Sequence, residues 1–251
     1  MPESPNPAFA SPPASFSAPP DPRSLEPVAP AWHTGIFLAY LAAFTWASAS
    51  SVPEEGLPPG MSRVTFYVPA LIFQWATFAY IWWGVRRRGV SVRALLANRW
   101  RGSAGFARTI ATALAAWAII FLGLAQAVEW LGVREPVKMR AIAELLLPRA
   151  PLEYAVWACV AITAGFVEEV VFRGYLQRQF AAWSRNQTFG IVASALVFGA
   201  GHLYQGVASA ATIAAVGIGF GVLAYGIRSL VPGVYAHAWA DLVPAIMGRA
   251  P

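Results

Sequence analysis

Seven apolar segments dominate the chain, and their length is the feature that most constrains its fold. A helix rises about 1.5 Å per residue and the hydrocarbon core of a bilayer is about 30 Å thick, so about 20 apolar residues can cross it. The segments lie at residues 31–52, 64–85, 106–133, from 152 onward, 188–204, 206–227 and 231–248. The sequence therefore predicts an all-α, polytopic bundle of about seven transmembrane helices.

The composition also indicates a membrane protein. Of the 251 residues, 57% are apolar and 12% are charged, whereas about 25% of the residues in soluble domains are charged. The formal net charge of +6 comes from arginines that lie mainly between the apolar segments, a distribution that orients a chain in a bilayer. These features exclude a soluble enzyme, a disulfide-rich secreted domain and a nucleic-acid-binding protein. They predict the lipid bilayer as a partner.

Composition divides the chain into three regions. Residues 1–30 contain ten of the twenty prolines and no apolar run, so we expect a disordered, Pro-rich tail. Residues 31–150 contain the first three apolar segments and are expected to form N-terminal transmembrane helices. Residues 151–250 contain the other four apolar segments. Most of the ionisable residues that lie inside apolar segments occur in these four, so we expect this region to be the functional membrane domain.

Arginines in the loop 86–105 predict the orientation of the chain, because basic residues collect in cytoplasmic loops. The loop has no acidic residue, and its arginines are Arg86, Arg87, Arg88, Arg93, Arg99 and Arg101. We therefore expect the N-terminus, this loop and the turns near residues 185 and 229 on the cytoplasmic side of the plasma (inner) membrane. Segment 131–151 then falls on the opposite side despite its basic residues, which a helix lying in the membrane interface would explain.

Six ionisable side chains within the C-terminal segments are the candidates for function, because such groups are costly in hydrocarbon and mark functional sites by default. They are Glu168, Glu169 and Arg173 in one motif, His202 in a second, and His237 and Asp241 in a third. Residues four apart share a helix face, so Glu169 can pair with Arg173. Glu168 then projects elsewhere and keeps its charge. The pair alone could also be a purely structural clamp.

Two smaller features have structural interpretations. His33, at the start of the first segment, is expected to lie at the membrane interface. Gly217 and Gly221 form a GxxxG motif in the sixth segment, which is typical of closely packed membrane helices.

Helix lengths predict that the three motifs lie at a similar depth. If the helix that contains Glu168 continues to a turn near Asn186, Glu168 lies 18 residues before that turn and His202 lies 16 residues after it. His237 lies eight residues after the turn near Ser229, on the same side of the membrane. We therefore expect a carboxylate and two imidazoles to converge in one pocket.

Two chemistries fit such a pocket. A carboxylate beside a histidine can take a proton from a water that attacks a peptide carbonyl, while a second histidine next to Asp241 stabilises the oxyanion or protonates the leaving amine. Alternatively, Glu168, His202 and His237 could bind zinc and leave one position for water. No HExxH zinc motif is present. The residues leave open whether zinc or no cofactor is used.

The three motifs resemble those of a known family. EEVVFR from Glu168, FGAGH from Phe198 and HAWAD from His237 are similar to the EExxxR, FxxxH and HxxxN/D motifs of the CAAX-protease and bacteriocin-processing family. These are intramembrane proteases that include the type II CAAX prenyl endopeptidases. The resemblance covers roughly residues 152–248, in the family's order, and has Asp241 where many members carry Asn.

The resemblance implies an intramembrane endopeptidase, of glutamate or metallo type, that acts on a peptide or a membrane protein. It implies that Glu168 activates water with His202 as its partner, and that His237 and Asp241 stabilise the oxyanion. Glu169, Arg173 and Phe198 would support the site. Two alternatives stay open: an immunity or scaffold member that works by binding alone, and a proton-coupled transporter. The sequence shows no inverted repeat of the kind that many transporters have.

Overall fold

The computed structural model describes residues 24–49, 60–97, 100, 102–124, 126–127 and 136–247. These residues form nine helices and no strand. The helices are α1 (Ala31–Ala49), α2 (Val64–Arg86), α3 (Val92–Leu96), α4 (Gly102–Leu122), α5 (Pro136–Leu146), α6 (Pro151–Ser184), α7 (Gln187–Ala200), α8 (Val207–Ile227) and α9 (Val231–Met247).

Each of the seven predicted segments contains a helix, so the all-α prediction is confirmed. Four helices of the described residues, α2, α4, α6 and α8, are long and apolar enough to cross a membrane. The total of seven spans stays a prediction. A helix also forms within segment 131–151, at α5. The predicted tail lies outside the described residues except for residues 24–30, and Val28 and Ala29 in that stretch are buried.

The long helix α6 organises the C-terminal half of the molecule. Its 34 residues correspond to about 50 Å, more than the thickness of a bilayer core. As the sequence predicts, it continues to a turn at Arg185, which adopts a left-handed conformation with φ of 54°. Asn186 then begins α7 by accepting a hydrogen bond from the backbone N–H of Phe189. This hairpin positions the polar residues of α6 against α7.

The hydrogen bonding of α6 changes at its centre. Pro151–Glu168 is α-helical, Glu169–Leu176 is a π-helix, and the α-helix resumes at Gln177. The Gln177 N–H bonds to the carbonyl of Phe172, five residues back. This differs from the uniform α-helix that the sequence predicts. π-Helical turns are rare and occur frequently at functional sites.

Glycines allow α9 to approach α6, and α8 to approach α7, at short distances. A Cβ atom at Gly165 of α6 would lie 2.7 Å from the backbone nitrogen of Ala238 in α9. A Cβ atom at Gly217 of α8 would lie 3.1 Å from the Ala195 Cβ atom in α7. The predicted close packing at the GxxxG motif is thus confirmed.

A buried chain of hydrogen bonds joins α1 and α2 to α6. The carbonyl of Tyr80 can only accept, so the His33 Nε2–H donates to it at 3.0 Å, and His33 Nδ1 then accepts from the Tyr175 hydroxyl at 2.8 Å. The Thr34 hydroxyl donates to the Tyr175 oxygen, and Gln179 Nε2 donates to Thr34 Oγ1. His33 is fully buried within this chain, and its position at the membrane interface stays a prediction.

The close contact at Gly165 gives a prediction for stability. Gly165→Ala forces a methyl group against the backbone of α9, and overpacking of this kind costs about 1–3 kcal/mol. We expect a lower Tm, measured by tryptophan fluorescence on the detergent-solubilised protein. Gly226→Ala in α8 is the matched control, because no atom lies within 4 Å of its added Cβ. Equal Tm values for the two variants would contradict the proposed contact.

Candidate active site

A buried carboxylate, Glu169, lies at the centre of the polar cluster. It is the first residue of the π-helix and its side chain is inaccessible to solvent. Its Oε1 atom lies 2.9 Å from Arg173 Nη1 and 3.1 Å from His237 Nδ1. The predicted Glu169–Arg173 pair is therefore present, and a histidine from α9 joins it.

Arg173 is held from three sides by groups that balance or cover its charge. Besides the bond to Glu169, its Nη2 atom donates to the carbonyl of Gly217 at 3.1 Å. Its guanidinium carbon lies 4.7 Å from the ring centroid of Phe198 and 5.3 Å from that of Phe220. These contacts fix the arginine between α6, α7 and α8, so its position depends on all three helices.

His237 is oriented by stacking and by its bond to Glu169. Its ring is stacked on Phe220, with a centroid separation of 5.5 Å and an interplanar angle of 15°. Nδ1 donates to the Glu169 carboxylate, so Nε2 faces the other side of the ring. There it lies 3.6 Å from Glu168 Oε2 and 3.9 Å from Asp241 Oδ2.

Glu168 and Asp241 form the accessible side of the cluster. The side chains of Glu168 and Asp241 are 22% and 35% exposed, whereas that of Glu169 is 1% exposed. Their separations from His237 Nε2 exceed those of a direct hydrogen bond and suit a bridging water. Of the two adjacent glutamates, Glu168 is thus the one that a water or a peptide can reach.

His202 contacts the ring of Phe198. Its ring centroid is 4.9 Å from that of Phe198, and the same phenyl ring is 6.0 Å from the ring of His237. Nδ1 lies 2.9 Å from the Phe198 carbonyl, which can only accept, so Nδ1 carries the proton and Nε2 is left as an acceptor. No hydrogen bond or ion pair joins His202 to Glu168 among the described residues.

The predicted zinc ligands do not form a metal-binding group. Among the described residues, no three histidine, cysteine, aspartate or glutamate side chains are arranged to hold a metal ion. His237 Nε2 lies near Glu168, but among the described residues His202 bonds through Nδ1 to the Phe198 carbonyl and has no hydrogen bond or ion pair with a carboxylate. The three predicted ligands therefore do not fit a zinc site.

Several contributors to the site carry no signal in the sequence. Phe220 is one apolar residue among many in α8, yet it stacks on His237. The carbonyl of Gly217 accepts from Arg173, although the GxxxG motif indicates only packing. Gly233 lies against Glu169, since a Cβ there would be 3.1 Å from Oε2. The Trp157 indole N–H donates to the Asp241 carbonyl and ties α6 to the end of the site.

The burial of Glu169 gives a second prediction for stability. Arg173→Leu leaves a buried carboxylate with one partner fewer, and breaking a buried ion pair in this way costs about 3–5 kcal/mol. We expect a large fall in Tm and in the yield of folded protein. The double variant Glu169→Gln with Arg173→Leu removes the unpaired charge and should recover part of the loss. A single variant as stable as the wild type would contradict the role of the pair.

Comparison with family models matches residues 150–243 to the family described as type II CAAX prenyl endopeptidase Rce1-like. Comparison with curated proteins and with solved structures finds no match. The matched range begins one residue before α6 and ends within α9, so it contains all of the predicted site residues. Its members are usually proteases. The match at residues 150–243 confirms the resemblance of this part of the chain to the CAAX-protease and bacteriocin-processing family that the three motifs predict.

Proposed function

We propose that this protein is an intramembrane endopeptidase in which Glu168 activates water for attack on a peptide bond. The observation that carries the proposal is the difference between two adjacent carboxylates. Glu169 is buried and bonded to Arg173 and His237, whereas Glu168 is partly exposed and lies beside His237. A general base must reach its water, and Glu168 meets that requirement.

The charges of the cluster leave one negative charge on its accessible side. With all groups ionised, three carboxylates (Glu168, Glu169 and Asp241) face two cations (Arg173 and a protonated His237). Arg173 pairs with Glu169, so the remaining negative charge is shared by Glu168 and Asp241, which lie 3.6 Å and 3.9 Å from His237 Nε2. Both nitrogens of His237 face carboxylate oxygens, so a protonated ring offers each of them a donor.

The proposed reaction needs only side chains of this chain and one water. Glu168 takes a proton from the water, and the water oxygen bonds to the carbonyl carbon of the substrate. The His237 Nε2–H donates to the resulting oxyanion, with Asp241 beside it. Glu168 then passes its proton to the amide nitrogen as the C–N bond breaks. In the neutral ring, His202 Nε2 is an acceptor and is suited to orient the water or the substrate.

The role of Glu168 can be tested without a known substrate. The wild-type protein is expressed in cells from which its gene has been deleted. We expect the membrane proteome of these cells to contain peptide N-termini that are absent from the deletion cells alone. Because general base catalysis contributes about 10²–10⁴-fold, Glu168→Gln should abolish them. Glu144→Gln is the matched control, since it makes the same change at an exposed position in α5.

Abundance of each variant is measured in the same membranes, so loss of the N-termini is not confused with loss of protein. Glu168→Gln that still generates the wild-type N-termini would contradict proteolysis by this residue. A complementing phenotype that survives Glu168→Gln without any new N-termini would favour a binding role instead.

A chelator tests the type of protease. Because the described histidines and carboxylates do not form a metal-binding group, we expect washed membranes treated with 1,10-phenanthroline to produce the same N-termini as untreated ones. Loss of cleavage that zinc restores would overturn the glutamate mechanism while leaving the protease assignment in place.

A further inference from the structure

The end of α2 carries an exposed group of arginines and tryptophans that the proposed active site does not use. Arg86, Arg87 and Arg88 are consecutive and exposed. Around them, Trp32, Trp82 and Trp83 are each 41–48% exposed. We call these six residues the Arg/Trp surface. It is both strongly basic and aromatic, and no acidic residue occurs between residues 56 and 128 of the chain.

Two of the guanidinium groups are held against indole rings. The Arg87 guanidinium carbon lies 4.3 Å from the ring centroid of Trp83 and 5.9 Å from that of Trp32, and the Arg86 carbon lies 4.9 Å from the centroid of Trp82. In a cation–π contact of this kind, the flat face of the guanidinium group lies against the indole ring. The N–H donors at its edge stay available for a second partner.

Within the described ranges, no hydrogen bond or ion pair engages the side chains of Arg86, Arg87 or Arg88. Three adjacent cations at a helix C-terminus are favoured by the helix dipole, but no carboxylate among the described residues balances their mutual repulsion. Their charge and their free donors are complementary to an anion.

The aromatic side of the surface is rigidly supported. Trp32 and Trp83 contact each other with centroids 5.6 Å apart, and both contact the ring of His33. His33 is stacked on Tyr80 at 4.1 Å and lies so close to Gly84 that no side chain fits there. The tryptophans that position Arg87 are therefore held by the buried core.

The position of the surface indicates a lipid partner. The 23 residues of α2 correspond to about 35 Å, which places the last turn near the boundary of a core about 30 Å thick. Tryptophans are enriched at this boundary, and basic clusters next to membrane helices attract anionic lipids. A phosphate at this depth would meet the guanidinium edges while the acyl chains contact the indoles.

We propose that the Arg/Trp surface binds the headgroups of anionic phospholipids. Each arginine can offer paired N–H donors to phosphate oxygens, which is the geometry that guanidinium groups favour. The binding fixes the depth of α2 and, through His33 and Tyr175, the position of the π-helical segment of α6 that begins at Glu169. The proposal does not depend on proteolysis, because none of its residues is in the active site.

Lipid retention by the full-length protein tests the proposal directly. The protein is reconstituted in mixed phosphatidylcholine and phosphatidylglycerol vesicles, extracted in mild detergent and analysed by native mass spectrometry. We expect wild-type protein to retain phosphatidylglycerol in preference to phosphatidylcholine. The triple variant Arg86→Gln, Arg87→Gln and Arg88→Gln should lower the apparent affinity for phosphatidylglycerol by about 100-fold.

A matched variant separates this site from a general effect of charge. Arg93→Gln, Arg108→Gln and Arg149→Gln together remove three charges from exposed arginines that contact no aromatic ring among the described residues. We expect this control to bind phosphatidylglycerol as the wild type does. Equal losses in the two triple variants, equal retention of the two lipids, or full retention by the first variant would each overturn the proposal.

A milder substitution keeps the test valid if the triple variant does not fold. Trp83→Leu retains every charge but removes the ring under Arg87, so we expect a severalfold loss of phosphatidylglycerol and an unchanged helical circular dichroism spectrum. If Trp83→Leu retains as much phosphatidylglycerol as the wild type, the indole ring plays no part in binding. This result would contradict the proposal that arginines and tryptophans of the Arg/Trp surface bind the lipid together.

Discussion

The carboxylate of Glu169 is the interaction on which the rest of the C-terminal half depends. A charge in a membrane interior is stable only with partners, and its two partners come from different places: Arg173 from the next turn of α6 and His237 from α9. Arg173 in turn requires the Gly217 carbonyl of α8 and the Phe198 ring of α7. One buried charge therefore brings four helices together.

The glycines around Glu169 are explained by its need for close partners. Side chains as short as those of glutamate and histidine can meet only if their helices approach closely, and Gly165 permits that approach between α6 and α9. Gly233 leaves room for the Glu169 carboxylate itself, whose Oε2 atom has no hydrogen-bond partner among the described residues. The glycines in these helices therefore make room for the polar cluster and also allow the helices to pack closely.

Local spacing predicts much of this arrangement, and tertiary contacts account for the rest. The intervals within each motif predict the Glu169–Arg173 pair, and helix length predicts that α6 continues to the turn at Asn186. The π-helix could not be predicted, because no residue pattern in EVVFRGYL distinguishes π from α hydrogen bonding. The burial of His33 was missed for a related reason: the space for its ring is created by Gly84, 51 positions away in the sequence. The plane of the His237 ring is likewise set by the stacking on Phe220 rather than by any motif.

The two adjacent glutamates show why one cluster can combine a structural and a chemical role. Neighbouring residues on a helix point in directions about 100° apart. Arg173 and His237, which lie on the same side of α6, can therefore bond to only one of the two glutamates. In α6 the change from α to π hydrogen bonding falls between these two residues, with Glu168 the last α-helical residue and Glu169 the first of the π-helix. Glu169 bonds to Arg173 and His237 and is buried in the core. Because its bond to His237 uses Nδ1, Nε2 of the same ring faces Glu168. The buried glutamate thereby orients the histidine for its exposed neighbour, which is the physical reason that a paired acid is suited to this position.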